Sequence, residues 1–350
     1  PLPATADEPV DATEFNEAWQ AYLDARRSGA TETLVNTARH ALDVGIRLFG
    51  RDDDRVPALM SNYGAVLFES KQEESARDVL ADALELAEDV HGKKSERLIP
   101  YLEKLANVSA ELRDELRQRA LYRRAEKIAN KQYGKDSLAY GDLLYRAGIS
   151  VYTLGQSLDG RKYLQDAAEI FRNNPAAGTE RNAMTAFWLG KIELSAGRNR
   201  KATEYLLQAL DGFASDDEPM PDYELITHGH LVHTYESQNL SAEATKHCLA
   251  IGKQRGDSID AEYVPVFRMA PSYPSQMLQT RTQGYVELAF TIDESGFVRD
   301  PVVTRREGGE PFEEAAIAAV ERFRYAPQFE NGEPVAVADV KTRITFKIEK

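Results

Sequence analysis

Ala41, Ala83, Ala125, Ala167 and Ala209 stand 42 residues apart without a break, and Ala250 follows after 41. Two further registers run in step. Gly64, Ala106, Gly148 and Gly190 each precede one of those alanines by 19 residues, and Phe49-Gly50, His91-Gly92 and Tyr133-Gly134 recur every 42. A fixed period of this length marks one supersecondary unit that cannot bury its apolar face alone, so copies must stack. Small residues let two helices approach closely, and a glycine just past a helix supplies a left-handed cap. The pattern predicts six helical hairpins. Their first helices fall near 14–27, 55–70, 97–112, 137–154, 179–196 and 223–238, and their second helices near 31–49, 73–91, 115–133, 157–173, 199–213 and 241–256.

A chain of 350 residues has room for two or three domains. It contains no run of about eighteen apolar residues, so no membrane span is expected. Because it starts at Pro1 and not Met, we read it as processed or trimmed, which leaves open whether a signal or membrane anchor was removed from a precursor. The net charge of -14 excludes nucleic acid as the main partner, since a phosphate backbone needs a basic face. From Val264 onward 11 Lys+Arg meet 13 Asp+Glu, a net of -2, which leaves -12 on residues 1–263. With Cys248 as the one cysteine, no intrachain disulfide can form.

After Gly256 the pattern changes. "GDSIDAEYVPVFRMAPSYP" reads as an extended linker. Val286, Leu288, Phe290 and Ile292 then alternate with Tyr285, Glu287, Ala289 and Thr291, as a half-buried strand does. Asp293-Glu294-Ser295-Gly296 is a hairpin turn, Phe297 to Thr304 returns, and Pro301 marks a bulge or an edge. Phe312, Ala315, Ala316, Ala319, Val320 and Phe323 form one apolar stripe on a helix over 312–324. Pro327 stops that helix and Asn331-Gly332 turns the chain. The last strand directs Val340, Thr342, Ile344, Phe346 and Ile348 inward, leaving Lys341, Arg343, Thr345, Lys347 and Glu349 outward.

The small-residue pattern Gly64, Ala76, Ala83, echoed by Gly148, Gly160, Ala167 and by Gly190, Ala202, Ala209, resembles a tetratricopeptide repeat (TPR). That repeat usually runs to about 34 residues; a period of 42 is similar to the longer form of kinesin light chain. The first repeat, with Tyr22 at the glycine position, and the last, near Val232, are degenerate. The resemblance implies that the first helices line a concave groove for a second protein, with Phe68, Asn107, Tyr145, Tyr152, Phe187 and Lys191 facing inward. The alternative is that these aromatics are core residues between helices.

"VPVFRMAPSYP", "GYVELAFTIDESGFVRDPVV", "FEEAAIAAVERFRYAP" and "NGEPV…TRITFKIE" follow in an order that resembles the C-terminal domain of TonB, a periplasmic protein linking inner-membrane energy to outer-membrane receptors. The resemblance implies that the last strand lies at a sheet edge and receives a receptor segment, the TonB box, as an added strand. The partner-binding edge would be Lys341, Thr342, Arg343, Ile344, Thr345, Phe346, Lys347 and Ile348, with the motif Tyr273-Pro274 beside it. Lys341, Arg343 and Lys347 would attract an acidic or polar peptide, or serve to keep the edge from aggregating. Ahead of Tyr273 this chain has Ala270 and Ser272 where enteric TonB carries glutamines. It also lacks the Pro-rich spacer of that family, whose role the helical stack would take as a rigid arm.

The expected organisation is a flexible segment 1–13, an all-α TPR-like solenoid over 14–256, a linker over 257–270 and an α+β TonB-C-terminal-like domain over 271–350, the last with a three-stranded antiparallel sheet and one packed helix. The expected function is that of a non-catalytic periplasmic adaptor, its partners a TonB-dependent outer-membrane receptor and a second protein in the groove. The alternative is an envelope scaffold whose C-terminal domain contacts peptidoglycan or another domain. No cofactor is expected. "HGKKS" at 91–95 lacks the first glycine of a phosphate loop and no G-x-S-x-G elbow occurs. His228, His230 and His233 are spread around one helix, not set four apart as zinc helices require, and the acidic runs 51–55 and 215–222 lack calcium-loop spacing.

Overall fold

The structure is a computed structural model that describes residues 11–153, 155, 157–214, 219–256 and 263–348. Residues 1–10 of the expected flexible segment, 257–262 of the expected linker, 215–218 of the second acidic run and the last two residues lie outside them. The chain forms two compact units, residues 1–175 and 176–350.

Unit 1 contains four helical hairpins: α1 (Ala12–Ser28) with α2 (Thr31–Phe49), α3 (Val56–Glu69) with α4 (Glu73–His91), α5 (Ile99–Glu111) with α6 (Glu115–Tyr133), and α7 (Leu138–Thr153) with α8 (Ser157–Asn173). The small-residue register is steric. A Cβ on Gly64 would lie 2.7 Å from Leu80 and one on Gly148 2.6 Å from Leu164, so only glycine admits the leucine of the partner helix at this distance. At the ends of α2, α4 and α6 the glycines Gly50, Gly92 and Gly134 have φ of 83°, 84° and 82°, as the repeat required. Their ψ values of 153°, 145° and 149° are not those of a left-handed cap, however, and place them in a region that glycine almost alone occupies.

Unit 2 begins with two more hairpins, α9 (Gly178–Ser195) with α10 (Asn199–Phe213) and α11 (Pro221–Ser237) with α12 (Ser241–Arg255). In α12 the buried positions are Ala244, Cys248, Ile251 and Gly252, which keeps the period at 42 and puts Ile251, not Ala250, in the alanine register. A short helix α13 (Ser275–Gln279) precedes β1 (Gly284–Ile292), β2 (Val298–Glu307), α14 (Glu310–Val320), a small hairpin of β3 (Gln328–Glu330) and β4 (Glu333–Val335), and β5 (Val337–Phe346). The sheet is antiparallel in the order β2-β1-β5. Val286, Leu288, Phe290, Ile292, Val340, Ile344 and Phe346 bury against Phe312, Ala316, Val320 and Phe323 in one core. The hairpin β3–β4 was not expected; it forms around the Asn331-Gly332 turn.

The module is built onto α11 and α12. Val232, Ala244, Cys248 and Ile251 of these helices share a core with Phe267 and Ala326. Arg324, only 1% exposed, reaches into the helices. Its Nη1 donates to Glu236 and to the Ser241 carbonyl (3.3 Å), and its Nη2 donates to Thr245 Oγ1 (2.7 Å) and to the Ser295 carbonyl (3.0 Å). Its guanidinium lies 3.7 Å from the centre of the Phe297 ring. Its backbone also bridges to Phe267 and Phe297.

Gly252 occupies the repeat position filled by Leu42, Leu84 and Leu210 in other second helices. A Cβ there would sit 2.4 Å from the Pro327 carbonyl and 2.9 Å from the Phe329 ring. Gly252→Leu is therefore expected to push β3 off α12 and destabilise unit 2 by about 1–3 kcal/mol, the usual cost of overpacking, read from its denaturant midpoint.

Candidate functional site

The candidate site is the outer rim of β5. Both outer strands of the sheet are edges, but they differ. β2 carries Pro301, which lacks an N–H, and Asp300 at a φ of 51°, with its pairing to β1 slipped between Ala289 and Thr291. Both devices spoil an edge for further pairing. β5 pairs with β1 continuously from Phe346 to Val340 before a bulge at Asp339, whose φ is 58°.

Two contacts show which β5 backbone groups face outward. Glu287, opposite Arg343, turns its carbonyl towards β2, where it accepts from Thr304 Oγ1 (3.2 Å). Arg343 therefore takes no ladder bond from β1, and its own carbonyl accepts from Arg268 Nη2 (3.5 Å) on the outer side. By the alternation of antiparallel pairing, Lys341, Arg343 and Thr345 present their N–H and C=O groups outward, while Thr342, Ile344 and Phe346 bond to β1. The rim side chains are exposed, and the inward ones, Val340, Ile344 and Phe346, are buried. The Arg343 guanidinium stacks 3.6 Å over the Tyr285 ring, and Lys341 Nζ lies 3.2 Å from Asp339.

β5 ends at Phe346, so Lys347 and Ile348 lie just beyond the strand, where the Ile348 N–H donates to Gln283 Oε1 (3.3 Å). Tyr273 is committed to the module's own packing. Its hydroxyl donates to the Thr282 carbonyl (2.7 Å) and its ring stands edge-on to Phe312 and Phe346. Pro274 caps α13. Arg268, which the sequence reading did not single out, reaches the rim through the Arg343 carbonyl; its signal would have been a cation two residues ahead of Ala270.

The residues expected in the groove fall in both units. In unit 1, Asn107 Oδ1 accepts from the hydroxyls of Tyr122 (2.7 Å) and Ser150 (2.6 Å), so it ties α5 to α6 and α7. Similar ties join successive first helices: Arg26 to Glu69 (3.0 Å), Lys104 to Ser61 (2.9 Å) and Arg146 to Glu103 (2.8 Å). Burial pushes the Lys104 ammonium pKa down. Phe68, Tyr145 and Tyr152 are half-buried. In unit 2, Phe187 is a core residue at 2% exposed, ringed by Phe213, Tyr223, Trp188 and His230, which is the core alternative and not a groove position. Lys191 caps the Trp188 ring at 4.4 Å, and burial lowers its pKa.

His228, His230 and His233 point to three different neighbours. His228 Nδ1 meets His247 Nδ1 at 2.7 Å, His230 packs on Phe187, and His233 stands edge-on to Phe267. Burial lowers the pKa of all four, taking His230 and His247 to about 4. It raises the Cys248 thiol to about 11, far from a thiolate nucleophile. Among the described residues no group of three or more His, Cys, Asp or Glu is arranged to hold a metal, and no helix is long and apolar enough to cross a membrane.

Residues 269–348 match the family model for the Gram-negative bacterial TonB protein C-terminal. The solution structure of the Pseudomonas aeruginosa TonB C-terminal domain is 30% identical, covering 27% of this chain and 95% of that one at a TM-score of 0.23. The helical part is similar in fold to BtubC (BKLC) from P. vanneervenii, with 15% identity, a TM-score of 0.51 and 77% of this chain matched to 98% of that one. A Podosopora anserina protein of nearly identical kinesin-light-chain TPR-like repeats is 13% identical over 58% of this chain and 95% of its own, at a TM-score of 0.47. No curated protein matches the chain in sequence.

Proposed function

We propose, on the premise that residues 269–348 belong to the TonB C-terminal family and the hairpins before them are TPR-like, that this chain is a non-catalytic adaptor of the Gram-negative periplasm. Its β5 rim takes an extended segment of an outer-membrane receptor or transport partner as a fourth strand, and its repeats recruit a second protein. The observation that carries this reading is the position of β5 at the sheet edge with Lys341, Arg343 and Thr345 turned outward. The anchor on α11 and α12 runs through Arg324, Gly252 and the β3–β4 hairpin and uses none of these residues. The module can thus be held at one side and read at the other.

A proline at an outward-facing position removes the N–H an incoming strand needs and leaves the bonds to β1 in place. Arg343→Pro is expected to weaken binding of an extended receptor-segment peptide at least tenfold, measured by isothermal titration with the full chain. Its thermal midpoint should stay within a few degrees of the parent. Unchanged affinity in a folded variant would reject strand addition at this edge. Co-sedimentation of the same variant with cell-wall sacculi at the parent level would point to the scaffold reading instead.

A further inference from the structure

Unit 1 contains a cavity of about 270 Å³ between α6, α7 and α8 that none of the roles above uses. The repeat supplies an internal control for its origin. The position occupied by Leu42, Leu84 and Leu210 in α2, α4 and α10 is Glu126 in α6, and the position occupied by Leu80, Leu164 and Leu206 is Tyr122. Both replacements lie on one helix and both line the cavity. At each position, space that three of the other five hairpins fill with leucine is here faced with a carboxylate or a phenol.

The Tyr122 hydroxyl is already taken by Asn107, and the Glu126 carboxylate accepts from the Tyr140 hydroxyl at 3.0 Å. At one end of the cavity Arg119 is paired with Asp159 at 3.0 Å. Two anions, Glu126 and Asp166, and two cations, Arg123 and Lys162, complete the charged lining, while Val151 and Tyr163 give it an apolar wall. Burial raises the pKa of Asp166, which Lys162 opposes and Glu126 and Glu169 reinforce. Burial and then Glu126 likewise raise the Tyr163 pKa. Glu126 is half-buried, while Asp166, Arg123 and Lys162 are exposed. Asp166 also lines an adjoining, wider cavity of about 400 Å³ with Leu144 and Ile170, which leaves room for an apolar side chain.

We infer that this cavity binds a small zwitterion with an apolar side chain, a free amino acid or a dipeptide, whose ammonium group sits between Glu126 and Asp166 and whose carboxylate is met by Arg123 and Lys162. Opposite charges within one cavity orient such a ligand through charge-assisted hydrogen bonds, and Val151 with Tyr163 offers its side chain an apolar surface.

Isothermal titration of the full chain with L-leucine and with L-alanyl-L-leucine tests the inference, and the stronger of the two identifies the source. N-acetyl-L-leucinamide, which has neither charge, is the control. Glu126→Leu restores the residue of the equivalent repeats, so it is expected to keep or raise the thermal midpoint while weakening binding at least tenfold. Asp166→Asn, on an exposed position, should weaken it in the same direction and serves if Glu126→Leu does not fold. The inference is overturned if neither zwitterion gives heat in the millimolar range, if the capped control binds as well, or if both variants bind like the parent.

Discussion

Replacing Arg324 with methionine is expected to lower the stability of unit 2 by about 3–5 kcal/mol, the range seen when one partner of a buried ion pair is removed. Methionine keeps much of the aliphatic length, so the loss is of charge and hydrogen bonds more than of volume. Glu236, itself buried, would keep only the Ser241 hydroxyl (2.8 Å) as a partner, and Thr245 Oγ1 and two backbone carbonyls would lose their donor. Unmet buried polar groups cost more than the net value of the bonds they made. The measurement is denaturant unfolding followed by Trp188 fluorescence in a Trp19→Phe background, since these are the chain's two tryptophans. Glu236→Gln added to Arg324→Met should cost much less than the sum of the two singles, because the carboxylate no longer needs its cation. A loss below about 1 kcal/mol in the single variant would mean that Arg324 is not the anchor.

The anchor also shows where reading the sequence alone falls short. The hairpins were legible because their glycines answer a local steric demand that recurs every 42 residues, as Gly64 against Leu80 and Gly148 against Leu164 show. The sheet was legible because alternation reports which face is buried, and Val286 to Ile292 do alternate in burial. Arg324 gives no such signal. In "ERFRYAP" it looks like one more solvated cation, and its partner Glu236 lies 88 positions earlier. Gly252 went unread because counting Ala250 as the sixth alanine slips the register by one, which hides the missing leucine against which Pro327 and Phe329 pack. The β5 edge was legible in position. The direction of its backbone groups became clear only with Thr304 on Glu287 and Arg268 on Arg343.

Acidification is expected to unfold unit 2 well before the carboxylates of an ordinary domain would require it. Four of the six histidines sit on α11 and α12 and all four have pKa values lowered by burial, His230 and His247 to about 4. The groups around them offer little relief. Glu224 lies 3.8 Å from His228 and partly offsets its burial, Glu243 and Lys246 act in opposite senses on His247, and Lys191 and His233 further disfavour charge on His230. The 2.7 Å contact between His228 Nδ1 and His247 Nδ1 needs one nitrogen to donate and the other to accept, so it cannot survive with both rings charged. A histidine with a depressed folded pKa binds fewer protons folded than unfolded. Its contribution is fully present above the unfolded value of about 6.5 and is lost as pH falls towards the folded value. Between roughly pH 6 and 4 the unfolding constant should rise about tenfold per pH unit for each histidine taking part. His233 stands against Phe267 and His247 neighbours the buried Cys248, so the shared core with the C-terminal module is where the unfolding should start. Denaturant midpoints of the full chain taken every half unit from pH 7.5 to 4 measure the slope. His247→Phe, which keeps a ring against Tyr235 and removes a titrating partner, should flatten that slope. A stability profile level through this range, or a variant that titrates like the parent, would show that the buried imidazoles do not govern the acid response.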